Sequence, residues 1–173
     1  MKFDLEKSIL ILQRTPAVLE QLLNGLPDDW VMHNEGGDTW SAYDIMGHLI
    51  HGEKTDWMAR TKMILDGKHQ TFPVFDRTAM FEESKGKSLP ELLAEFKSVR
   101  AENLKILRSL NLSEKDFDKT GVHPKFGKVT LRQLLSTWTI HDLTHLAQIS
   151  RVMAKQYREE MGPWLEYFRQ MQD

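Results

Sequence analysis

Apolar residues recur at helical spacing through most of this chain, and four long stretches carry the pattern. The first runs from Asp4 to about Leu23, where Leu5, Ile9, Leu12, Leu19, Leu22 and Leu23 share a face and Asp4 is a good N-cap. Pro16 falls inside it and is expected to kink or split the helix near Arg14, and Asn24-Gly25 offers a stop. The second opens at Ser41, which forms a capping-box-like pair with Asp44, and is expected to continue to Asp66-Gly67. Ile45, Met46, Leu49, Ile50, Trp57 and Ile64 form its apolar arc. The third begins at Ser88, with Glu91 completing another capping box, and runs to about Leu110. Leu89, Leu92, Leu93, Phe96, Val99, Leu104 and Leu107 line its core face, while Glu95, Lys97, Arg100, Glu102 and Lys105 are assigned to its solvated face. The fourth, capped by Thr130 with Gln133, starts at Leu131 and fades near Tyr157.

The stretches between them are long. Residues 26–40 hold Pro27 and Gly36-Gly37-Asp38 and form a loop, with His33 exposed. Residues 67–87 make a longer connection, in which Phe72, Phe75 and Phe81 are expected to pack as a lid over one end of the bundle and His69 lies at the surface. Residues 111–129 break the helical pattern, with a short extended pair around His123 to Val129. Gly162-Pro163 opens a short fifth helix to about Met171, with Trp164, Leu165 and Phe168 on one side. No repeat and no long alternation is present. The expected fold is all-α, a four-helix bundle with long connecting loops and a short C-terminal helix, in one domain over residues 1–173.

Composition narrows the function. The formal net charge is −2, with both signs interspersed, which speaks against a nucleic-acid groove or a polybasic membrane patch. There are no cysteines, so disulfides, thiolate metal sites and cysteine nucleophiles are all excluded. The first residues hold no apolar run with a cleavage site, and no stretch approaches the ~18 apolar residues that span a bilayer. A soluble, cytoplasmic protein is expected.

The candidate chemistry lies in the fourth helix, in His141-Asp142-Leu143-Thr144-His145. With His141 at 0° on a helical wheel, His145 falls at about 40°, inside the arc of Leu131, Leu134, Leu135, Trp138, Ile149, Val152 and Met153. Two imidazoles one turn apart on an apolar stripe need partners, and one metal ion can serve both. A purely hydrogen-bonded histidine core is the alternative. His48 is the best third ligand, because it lies at the edge of the second helix's apolar arc and helices ~8–10 Å apart let two imidazoles meet; His51, on the far side, is expected to be wet. Three histidines with open positions suit catalytic rather than structural zinc, although nickel, iron and copper also accept such donors. Asp142, at about 100° on the same wheel, is either an acceptor that orients an imidazole or a partner for a buried arginine or a loop amide. Glu53 is a further carboxylate near the core side, whose plain structural role ranks above ligand or general base. The spacing matches the zinc-protease motif His-Glu-x-x-His, but aspartate replaces the glutamate base, which makes peptidase activity the weaker reading.

Trp40-Ser41, His48-Leu49, His123-Pro124 with Gly127, Thr130-Leu131, His141-Asp142, His145 and Gln148-Ile149 together resemble the DinB-like (DinB/YfiT) family of bacterial metalloproteins in order and spacing over nearly the whole chain. The resemblance implies a four-helix bundle binding a divalent metal, typically zinc or nickel, through His48, His141 and His145, often in a homodimer. It implies relatives that are S-transferases or isomerases using low-molecular-weight thiols, and others described as metal-dependent hydrolases of unassigned substrate. The expected function is therefore a metal-dependent enzyme that activates a thiol or water against a small-molecule electrophile, with Asp142 and Glu53 as candidate catalytic carboxylates. The competing expectation is a non-enzymatic, stress-related metal-binding or interaction protein, which a closed set of four ligands including Glu53 would favour.

Overall fold

The computed structural model describes residues 1–68, 71–168 and Met171; His69 lies outside the described residues. Four long helical elements form the bundle: α1 (Leu5–Leu23), α3 (Ala42–Thr55) continued by α4 (Trp57–Asp66), α6 (Leu89–Ser109) and α7 (Leu131–Lys155). Asp4, Ser41, Ser88 and Thr130 cap them, the last three in full capping boxes with Asp44, Glu91 and Gln133. Each box satisfies two backbone donors that the first helical turn leaves without partners. Among the described residues no helix is long and apolar enough to cross a membrane.

α1 and α3 each pack on both α6 and α7, so α1 lies diagonally across the bundle from α3, and α6 from α7. The chain therefore crosses the bundle between α1 and α3 and again between α6 and α7. Those crossings explain why residues 24–41 and 110–130 are long. The connections also carry structure of their own. A single helical turn, α2 (Asp28–Val31), and a short helix, α5 (Ala79–Ser84), interrupt two of them. The extended pair is an antiparallel hairpin, β1 (Thr120–His123) with β2 (Gly127–Thr130).

Three helical expectations change. α1 is unbroken through Pro16, which is buried within it. The predicted second helix breaks at Asp56, whose φ of −111° and ψ of −71° depart from regular helical values. The break lets the Trp57 indole fold back over Gly52 and stack on Trp138, with ring centroids 6.0 Å apart. The C-terminal segment is a 3-10 stretch over Glu159–Tyr167, bent at Gly162, rather than a helix starting at Pro163. Trp164 and Phe168 in and after it are exposed.

The apolar core falls into two clusters. One gathers Ile9, Leu12, Met58, Leu104, Leu107 and Trp138; the other gathers Leu19, Leu23, Ile45, Leu49, Phe96 and Ile149. The level between them is polar. The 67–87 connection is tied to the hairpin rather than draped over the bundle end. Phe72 donates its N–H to the Val122 carbonyl at 2.8 Å, and its buried ring lies against Gly121. Phe75 packs on His48 and His51, whereas Phe81 stays exposed. A methyl group at Gly121 would overlap the Phe72 ring. Gly121→Ala is therefore expected to cost about 1–3 kcal/mol in chemical denaturation, because the ring is packed on its other sides and cannot retreat.

Candidate metal centre

α3 delivers His48, and α7 delivers His141 and His145 one turn apart. His48 Nε2 lies 3.0 Å from His141 Nε2, and His145 Nε2 lies 3.1 Å from the same atom. The ligand atoms of all three lie within 4.8 Å of one another, which places the predicted trio at one point. Hydrogen bonding alone does not account for this cluster. A neutral imidazole nitrogen has either one lone pair or one N–H, so His141 Nε2 cannot pair fully with both neighbours. Nitrogen ligands at ~2.0–2.1 Å from a single ion stand roughly 3.0–3.4 Å apart, so the donor set fits a divalent cation.

The rings are held in the neutral form, in which a ring nitrogen keeps a lone pair. Burial, with the nearby His145 and His51 and the Arg77 charge, pushes His48 down to about 3. Burial, with His145, His48 and Arg100, pushes His141 down to about 2. His145 is lowered by burial too, against the bond between its Nδ1 and Gln148 Oε1 at 2.8 Å. Gln148 fixes that ring's orientation. His48 Nδ1 and His141 Nδ1 have no hydrogen-bond partner among the described residues. Aromatic contacts hold those two rings instead: Trp40 lies 4.8 Å and Phe75 5.6 Å from His48, and Trp57 lies 5.0 Å from His141, centroid to centroid.

Behind the histidines lies a buried ion network. Arg100, assigned from sequence to the wet face of α6, is 1 % exposed at the centre of the bundle. Its Nη1 and Nη2 donate to the two Asp142 oxygens at 2.6 and 2.9 Å, and Nη2 also donates to Glu53 at 2.8 Å. Nη1 donates further to the Leu12 carbonyl at 2.8 Å. That carbonyl is free because Pro16, four residues on, has no N–H to offer it. Glu53 is completed by the Trp138 indole N–H at 2.7 Å and by Asn103 at 2.9 Å. Burial opposes the Arg100 charge, but Glu53 and Asp142 outweigh it and raise its pKa. Both carboxylates named as catalytic candidates are thus engaged by arginine, and neither lines the cavity described below. His51 also differs from expectation. It is buried, with Nδ1 3.0 Å from Glu83, because α5 covers the face of α3 that was assigned to solvent.

The spacing of α6 held the missing signal. Arg100 follows Phe96 by four residues and precedes Leu104 by four and Leu107 by seven, all core positions. His33 is exposed, as expected.

The trio opens into a cavity of about 570 Å³ lined also by Trp40, Trp57, Phe75, Arg60, Arg77 and the hairpin residues His123–Lys125. The DinB superfamily profile matches residues 11–149. The chain belongs to the DinB superfamily. A solved relative is YfiT from Bacillus subtilis, described as a probable metal-dependent hydrolase with an unusual four-helix bundle topology. This DinB chain is 22% identical to it, with a TM-score of 0.74 over 90% of this chain and 87% of that one. That likeness establishes the shared fold. No curated protein matches this DinB member.

Two outcomes follow for the centre. Arg100→Met strands two buried carboxylates, and is expected to cost about 3–5 kcal/mol in urea denaturation. For metal-free protein the pH dependence has a definite sign. The folded-state values of His48 and His141 lie below the ordinary histidine value of 6.5, so the unfolded chain takes up protons first as pH falls. Stability is expected to decline from pH 6.5 toward about 3, measured by denaturation in chelator, with a shallower decline in His141→Gln.

Proposed function

We propose that this protein is a metal-dependent enzyme that holds a divalent cation, zinc or nickel, through His48, His141 and His145. The observation that carries the reading is the convergence of three neutral Nε2 donors on the wall of an open cavity. The group holds no fourth protein ligand among the described residues, which leaves coordination positions for small molecules. Glu53, the candidate for closing the set, is occupied by Arg100, Trp138 and Asn103. That favours a catalytic centre over a structural one.

A cation in such an open site lowers the pKa of water or a thiol, giving a nucleophile near neutral pH. The chain's own residues supply the rest. Trp40, Trp57 and Phe75 line the cavity with apolar surface, which seats the body of a small electrophile. The histidine rings keep their lone pairs available because burial holds them neutral. The reaction class is transfer of the electrophile to a low-molecular-weight thiol cosubstrate, or its hydrolysis. The description of YfiT as a probable metal-dependent hydrolase supports this assignment.

Metal analysis by mass spectrometry tests it. Wild-type protein is expected to carry about one equivalent of zinc or nickel, and His48→Ala and His141→Ala to carry almost none. Metal-dependent consumption of a thiol or an ester by wild type then separates transferase from hydrolase. Wild-type protein that neither contains nor takes up metal would refute the proposal.

A further inference from the structure

The cavity is positively charged in a protein whose formal charge is −2. Its lining holds Arg60, Arg77 and Lys125 against one carboxylate, Asp56. Asp56 is already paired with Arg60, four residues along. Arg77 and Lys125 are exposed and make no ion pair with any described residue. Other surface cations, among them Lys54, Lys87, Lys97, Arg132 and Arg151, spend their charge on a carboxylate. Unpaired like charges gathered at one concave site repel one another, and they focus a field that attracts anions.

The backbone segments that carry these two cations are tied together. Arg77 follows the strap that runs through Phe72 and Phe75, and Lys125 sits at the hairpin turn. The strap and the hairpin are joined by the Thr71–Val122 bridge and by the Phe72 N–H to the Val122 carbonyl. His123 belongs to the same wall. Its Nδ1 accepts the backbone N–H groups of Lys125 at 3.1 Å and Phe126 at 3.2 Å. Those donors require a lone pair on Nδ1, so the neutral ring carries its proton on Nε2 and offers one donor. Burial and the charges of Arg60 and Lys125 keep that ring neutral by lowering its pKa.

We propose that Arg77, Lys125 and His123 form an anion-binding wall beside the three histidines, and that the substrate is a small molecule carrying a carboxylate or phosphate group on an apolar body. The anion pairs with Arg77 and Lys125 and accepts from His123, while the body lies against Trp40, Trp57 and Phe75. This places the reacting part of the molecule at the histidine trio. The inference rests on the cavity being the substrate site, as in the proposed function, but the wall does not depend on the metal.

Titration calorimetry with benzoate, phenyl phosphate and neutral benzamide tests it on wild type, Arg77→Gln/Lys125→Gln and His48→Ala. Both altered cations are exposed, so the double variant is expected to fold. In wild type at least one anion is expected to bind about tenfold more tightly than benzamide. The double variant is expected to lose that preference while keeping its metal content. His48→Ala is expected to keep it. The tighter of the two anions identifies carboxylate or phosphate as the native group. Equal binding of benzamide, no saturable binding of either anion at millimolar concentration, or a preference that survives in the double variant overturns the proposal. Loss of the preference in His48→Ala alone assigns the anion to the metal centre and overturns it too. Wild type without metal refutes the proposed function and leaves the anion preference standing.

Discussion

One guanidinium joins the four walls of this bundle. Arg100 projects from α6 and reaches the Leu12 carbonyl on α1, Glu53 on α3 and Asp142 on α7. A charge so buried survives only if its partners replace most of the water it has lost, and two carboxylates and a carbonyl do so. The network fixes α3 and α7 relative to each other at the level where they carry the three histidines. Asp142 is the next residue after His141, and Glu53 lies about one and a half turns beyond His48. Anchoring these carboxylates to one planar fork therefore sets the register in which the imidazoles meet. Apolar burial in the clusters on either side is non-directional, whereas a bidentate pair fixes both distance and orientation.

The site combines two ways of holding a side chain. His145 is oriented by the hydrogen bond its Nδ1 donates to Gln148 Oε1. His48 and His141 are oriented by aromatic faces that also wall the cavity. The break at Asp56 contributes to this arrangement, because it turns Trp57 back toward His141 and Trp138. A helix continuing without interruption would carry that indole onward along the bundle axis. Local irregularity in α3 and α4 is thus part of how the cavity is built.

Much of this was legible in the sequence. The caps at Ser41, Ser88 and Thr130 obey local chemistry, and the three-histidine grouping follows from wheel positions on two helices. What was not legible depended on tertiary neighbours. Arg100 reads as a solvent residue because arginine is usually exposed, although its spacing from Phe96, Leu104 and Leu107 places it inside. His51 reads as wet because α5, which covers it, lies in a connection whose docking no periodicity reveals. The continuity of α1 through Pro16 also required knowledge of what Arg100 does with the carbonyl released there.

That last point reaches further than helix geometry. The Leu12 acceptor is part of the backbone, so no replacement of the residue 12 side chain removes it. Its availability is encoded at residue 16, by the one amino acid that lacks a hydrogen on nitrogen. Any other residue there would bring a competing donor, and the guanidinium would have to share the oxygen with the helix it leans on. The chain thus writes one arm of its central charge network as a missing atom, at a position that comparison of side-chain chemistry alone would pass over.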